Sequence, residues 1–145
     1  MVITGFLQAR NEIRSGHLQR YLKWNTELFD YLVAIDDESQ DFTFDALSTQ
    51  ATICIRNEHS NFLNEISNKS KILKIAKQKI PETDWFLLLD EDELLLESRD
   101  KLELILMQSE KLGFDGIELN LVNRKGRQGY PTPLKVFIKP LFPAH

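Results

Sequence analysis

Short apolar runs alternate along this chain with longer stretches in which apolar residues recur every three or four positions. The short runs predict strands over 2–7, 31–35, 52–55, 85–89, 116–122 and 134–138. The longer stretches predict helices over 16–28, 42–47, 62–80 and 100–112. In the first helix Leu18, Tyr21, Leu22 and Leu28 form the buried stripe. In the third, Ile72, Leu73, Ala76 and Ile80 line one face, while Lys69, Lys71, Lys74, Lys77 and Lys79 occupy the others. Asp41 is placed to cap the second helix, Pro81 ends the third and Gly113 stops the fourth. Residues 124–129 read as a polar turn. The run Trp85-Phe86-Leu87-Leu88-Leu89 is apolar throughout, as a strand buried on both faces is, and belongs at the centre of a sheet. Strands alternating with helices predict an α/β fold with a mostly parallel sheet flanked by helices.

In an open α/β sheet, ligands bind beyond the carboxyl ends of the strands. The residues just after each predicted strand are therefore the candidates for chemistry. They are Gln8-Ala9-Arg10-Asn11-Glu12, Asp36-Asp37-Glu38-Ser39, Arg56-Asn57-Glu58-His59 and Asp90-Glu91-Asp92-Glu93. All four tips are polar, and parallel strands gather them on one edge. The last is the most informative. Four consecutive acids behind five apolar residues repel one another where the sheet limits solvent, and a divalent cation removes that repulsion. Asp90 and Asp92 alternate and can face one ion; oxygen ligands suit Mg²⁺, Mn²⁺ or Ca²⁺. The competing structural reading is an exposed acidic turn capping the next helix. Asp36 or Asp37 can accept a hydrogen bond from a base or a sugar hydroxyl; the competing reading there is an Asx-type turn, with Ser39 and Asp41 capping a helix.

Composition narrows the rest. The chain has 145 residues, of which 42% are hydrophobic and 28% charged, which suits one packed domain. A net charge of −4 argues against nucleic acid as partner. The single cysteine, Cys54, reads as a small buried apolar side chain in a reducing compartment. No transmembrane segment and no signal peptide is expected. No G-x-x-x-x-G-K-[ST] or G-x-G-x-x-G occurs, His17, His59 and His145 lack metal-ligand spacing, and no nucleophile elbow is present.

Four segments, in order, carry a resemblance to the family 2 glycosyltransferases of GT-A fold. Phe6-Leu7-Gln8-Ala9-Arg10-Asn11-Glu12 is similar to the family's opening strand and "A/V-R-N-E" loop. Val33 to Thr43 resembles its "V-D-D-x-S-x-D-x-T" segment. The lysine-rich helix precedes Trp85 to Glu93, which is similar to the "W-x-L-x-L-D-A-D-E" form of the D-x-D motif. The resemblance covers residues 1 to about 95. It implies one GT-A domain over 1–145, with a nucleotide-sugar-binding half at 1–95 and a short acceptor-side remainder at 96–145. It implies an inverting, metal-dependent transfer of sugar from a nucleotide-diphosphate sugar, a UDP-sugar with uracil as the base, to a hydroxyl acceptor on a glycan or lipid-linked molecule. By the same resemblance Asp92 ligates Mn²⁺ or Mg²⁺ directly, and Asp90 reaches the metal through water or contacts the donor. Asp37 accepts the N3–H of the base. Ala9, Arg10, Glu12 and Glu91 line the donor pocket, and Lys71 or Lys74 touches the diphosphate. The expected location is the cytoplasm or the inner membrane face. The family's general base lies beyond the D-x-D motif; Asp115 and Glu118 are available carboxylates with nothing marking either, and His145 resembles a late metal-binding histidine. The chain is thus expected to be truncated, or a short version that takes its acceptor site from elsewhere. The alternatives are a non-catalytic nucleotide-sugar-binding module and a sugar-phosphate nucleotidyltransferase, which needs a glycine-rich loop after the first strand.

Overall fold

The computed structural model describes residues 1–61, 63–119 and 135–138. The elements are β1 (Ile3–Ala9), α1 (His17–Asn25), a 3-10 turn (Thr26–Leu28), β2 (Tyr31–Asp37), α2 (Thr43–Gln50), β3 (Ile53–Asn57), α3 (Glu65–Lys79), β4 (Trp85–Leu88), α4 (Arg99–Lys111), β5 (Gly116–Leu119) and β6 (Lys135–Ile138). The expected turn at 124–129 and the end of the fifth strand, 120–122, lie outside the described residues.

The sheet has the order β3-β2-β1-β4-β6-β5. β1, β2, β3 and β4 are parallel, and β6 runs antiparallel to both β4 and β5. β4 lies inside the sheet, where its unbroken apolar run belongs, and Trp85, Phe86 and Leu87 are fully buried. The first three strands run past their apolar cores. The register pairs Ala9 with Asp36, Asp36 with Arg56 and Asp37 with Asn57, so the polar tips stay in the ladder and are held at one level.

Alternation along the strands feeds two cores. Leu7, Ala34 and Leu87 face α1, α2 and α4, packing with Leu18, Tyr21, Leu47, Leu102 and Leu106. Phe6, Val33, Ile35 and Phe86 face α3, packing with Ile72 and Ala76. The predicted stripes of α1 and α3 are these buried faces. Gly5 makes room for the Phe29 ring: a Cβ at Gly5 would stand 2.7 Å from it.

Several boundaries shift for local reasons. The predicted first helix ends at Asn25, and a tighter turn carries Leu28 into the core. The third helix starts at Glu65 because Asn64 accepts a hydrogen bond from the Ser67 N–H and caps it. Asp41 does not occupy the cap position of α2; Phe42 does. Asp41 reaches the same end from one residue earlier, accepting from the Thr43 N–H at 2.9 Å. Cys54 is half-buried rather than buried; burial, then Asp36, pushes its thiol up to about 11.

The order of connections fixes where a site can form. The chain moves outward from β1 to β2 to β3 through α1 and α2 on one face, then returns across β1 to β4 through α3 on the other. Helices leaving the sheet in opposite directions open a crevice at the reversal point, beyond the carboxyl ends of β1 and β4.

Candidate functional site

The crevice holds a recess of about 90 Å³ lined by Gln8, Ala9, Arg10, Glu12, Asp37, Glu65 and Glu91. Five of the residues singled out from the sequence, Ala9, Arg10, Glu12, Asp37 and Glu91, thus meet on one wall. Glu65, at the first turn of α3, has no such signal; residues 58–64 carry it there from the end of β3. Beside the recess lies an open cleft of about 520 Å³ lined by Glu38, Ser39, Gln40, Arg56, Asn57 and Glu58.

Asp37 joins the two. One carboxylate oxygen accepts from Asn57 Nδ2 and from the Asn61 N–H, both at 2.9 Å. The other accepts from Ser60 Oγ at 2.9 Å. Burial alone would raise the Asp37 pKa, but these donors overcome it and hold the carboxyl below its ordinary value. Asn68 adds to these donors in holding the charge on Asp37. Lys71 does not line the recess. Its Nζ donates to Asn57 Oδ1 at 3.2 Å, one residue removed from Asp37. Lys74 is exposed on α3.

The acidic run leaves the strand after Leu88 and folds into a tight turn. The Asp90 N–H donates to Glu93 Oε2 at 2.8 Å, and the Glu93 N–H to the Asp90 carbonyl at 3.0 Å. Asp90, Asp92 and Glu93 each offer a carboxylate oxygen, all within 4.8 Å of one another. Such a set of hard oxygen donors fits Mg²⁺ or Mn²⁺. Glu93 joins the two aspartates expected from the sequence, because the turn brings it back over Asp90. Glu91 lines the recess. Burial first, then the like charges of Glu12, Asp90 and Asp92, pushes its carboxyl from an ordinary 4.5 to about 7. Tyr21 is buried beneath, and its hydroxyl has no hydrogen-bond partner among the described residues. Burial, then Asp90, Glu93 and Glu91, drives its pKa upward.

The turn is held from α1. The buried Asn25 donates through Nδ2 to the Glu93 carbonyl at 3.0 Å and accepts from the Leu95 N–H at 3.2 Å. Trp24 Nε1 donates to the Leu95 carbonyl at 2.9 Å. Nothing in the periodicity of α1 marks these two, since both sit at its end and reach backbone rather than side chains. Asp115 and Glu118 are exposed, and His145 lies outside the described residues.

No protein-family model matches the sequence, and no curated protein does. Solved structures do match the fold. The chain is similar to S. aureus TarS 1-349 with a TM-score of 0.65 at 17% identity, over 95% of this chain and 47% of that one. It is similar to the mannosyltransferase PcManGT from Pyrobaculum calidifontis in complex with GDP-Man and Mn²⁺, with a TM-score of 0.61 at 17% identity, over 85% of this chain and 36% of that one. A cytidylyltransferase from Leptospira borgpetersenii serovar Hardjo-bovis matches with a TM-score of 0.58 at 14% identity, over 95% of this chain and 60% of that one. The chain therefore spans about half the length of the first and about a third of the second. The fold is GT-A-like: a mostly parallel sheet flanked by helices.

Proposed function

We propose that the chain is a metal-dependent glycosyltransferase of the family 2 type, taking sugar from a nucleotide-diphosphate sugar, with UDP as the first nucleotide to test. The observation that carries the reading is the meeting of Ala9, Arg10, Glu12, Asp37 and Glu91 in one recess beside the Asp90, Asp92 and Glu93 carboxylates. A nucleotide sugar needs a few hundred Å³, on the order of 300–1,000 for ligand sites in general. The 90 Å³ recess is too small alone; the 520 Å³ cleft, whose Asn57 bonds Asp37, offers further volume. Asp37 stands toward the base, and Arg10, in the recess, brings positive charge to the phosphate side. Asp92, Asp90 and Glu93 would hold the metal, which when bound neutralises charge on the departing nucleoside diphosphate. PcManGT, of similar fold, was solved with GDP-Man and Mn²⁺, so GDP is the second nucleotide to test.

The cytidylyltransferase of similar fold favours a second reading, a nucleotidyltransferase. That chemistry calls for a loop after β1 whose backbone N–H groups face phosphate. Here the N–H groups of Asn11, Glu12 and Ile13 donate instead to Ser39, Thr43 and Asp41, and Gln8 to Ile13 contains no glycine. The loop is closed to phosphate, which supports the glycosyltransferase reading. Calorimetric titration of UDP and GDP with and without Mn²⁺, on wild type and Asp92→Ala, tests it. Expected is Mn²⁺-dependent binding that the variant loses. A folded wild type that binds neither nucleotide overturns it.

A further inference from the structure

The end of β2 and the segment after it contribute Asp36, Ser39, Asp41 and Thr43 to the sequence resemblance, yet none of these lines the recess. Their hydrogen bonds run to the loop after β1. The N–H groups of three consecutive residues, Asn11, Glu12 and Ile13, donate to Ser39 Oγ at 3.0 Å, Thr43 Oγ1 at 2.9 Å and Asp41 Oδ2 at 3.3 Å. The contact is reciprocal, since Asn11 Oδ1 accepts from the Gln40 N–H at 2.7 Å. Each acceptor is itself fixed: Asp36 Oδ2 accepts from the Ser39 N–H at 3.1 Å, and the Thr43 hydroxyl donates to Asp41 Oδ1. Asn11 sits at φ 52 and Glu38 at φ 58, left-handed conformations that a side-chain-bearing residue keeps only when its surroundings enforce them. Ser39 and Thr43 are buried, so water does not compete for these bonds.

We propose that Ser39, Asp41 and Thr43 are positioning residues of the donor pocket. They act on the donor through the backbone of 11–13, which sets where Arg10 and Glu12 stand; Asp41 and Thr43 line neither cavity, and Ser39 also lines the open cleft. This rests on the donor-site reading above. It explains why a hydroxyl, a carboxylate and a second hydroxyl recur at every second position: each meets one of three successive amides.

The test compares Thr43→Val, which keeps shape and removes the acceptor, with Thr43→Ser, which restores it. Leu102→Ala, in the core under α4, serves as a control for lost stability alone. Thermal melts and calorimetric titration of UDP or GDP with Mn²⁺ are run on all four proteins, using the nucleotide that wild type binds. Thr43→Val removes the bond from the Glu12 N–H and the bond to Asp41; expected is a Kd about tenfold weaker, recovered in Thr43→Ser. Leu102→Ala is expected to melt lower yet bind as wild type does. Amide exchange at Glu12 should quicken in Thr43→Val only. Should Thr43→Val not fold, Asp41→Ala, which removes the acceptor for the Ile13 N–H at a residue lining neither cavity, carries the same comparison. Unchanged affinity in the variant, or an equal loss in Leu102→Ala, overturns the inference and leaves the donor reading standing. Absence of binding in wild type overturns the donor reading and the inference with it.

Discussion

Glu91 shows how one side chain can be read two ways. In the sequence it is the second member of an acidic run, with no mark to separate it from its neighbours. In the structure it lines the recess, while Asp90, Asp92 and Glu93 bring a carboxylate oxygen each within 4.8 Å of one another. Its carboxyl is pushed up to about 7, so the folded protein holds that proton more tightly than the unfolded chain. The contribution to stability is therefore complete below the ordinary 4.5 and is lost as pH rises through about 7. Melting temperatures measured between those limits in EDTA should fall with pH in wild type, and the slope should flatten in Glu91→Gln. Identical profiles would mean that Glu91 does not feel its neighbours. Asp30, Asp37 and Asp41 are held below their ordinary values and change only at lower pH, losing their contribution as acid protonates them. At this scale the sequence was legible where charge followed an apolar run. It was opaque for Glu65 and for the Tyr21 hydroxyl, because both depend on which loop or helix folds over the sheet edge.

At the scale of elements, the acidic turn depends on α1 for its shape. Asn25 gives one donor and one acceptor to the backbone of 93–95, as a neighbouring strand would. Asn25→Ala removes the donor to the Glu93 carbonyl and the acceptor of the buried Leu95 N–H, at a cost of ~2–3 kcal/mol. Mn²⁺ affinity should weaken as well, since the carboxylates lose their fixed spacing. Thermal melts with parallel Mn²⁺ titrations check this. Lower stability with unchanged affinity would show that the turn keeps its geometry unaided. Element types followed from apolar spacing, and the core stripes of α1 and α3 with them. Boundaries did not, since they were set by particular polar bonds. The cap from Asn64 and the ladder pairs of Asp36 and Asp37 are examples.

Over the whole molecule, the two edges of the parallel sheet divide the labour. The carboxyl edge gathers the recess, the cleft and the acidic turn. The opposite edge is tied by Arg99 at the start of α4. Its guanidinium donates to the Leu28 and Met1 carbonyls at 2.9 Å and to Asp30 and Glu103 at 3.0 Å. Arg99→Ala should cost ~1–3 kcal/mol, the range for hydrogen bonds to charged groups, while nucleotide and metal affinities stay as in wild type. Melting curves beside the same calorimetric titrations decide it; a matching loss of affinity would mean that the edges are coupled. The parallel half of the sheet was readable because strand and helix patterns alternate plainly up to residue 95. The antiparallel seat of β6 between β4 and β5 was not, because nothing in a four-residue apolar run states its direction or its neighbours. No helix among the described residues is long and apolar enough to cross a membrane.

The bond from Trp24 to the Leu95 carbonyl also gives the protein an optical readout. The chain has two tryptophans. Trp85 is sealed in the core with its indole N–H on Glu110, so its emission belongs to the folded sheet as a whole. Trp24 is 52% exposed and fastened to the segment that follows the acidic turn. With Trp85 replaced by phenylalanine, the remaining fluorophore stands at the rim of the carboxylate cluster, and its colour becomes a gauge of how that rim is solvated, read without adding any label.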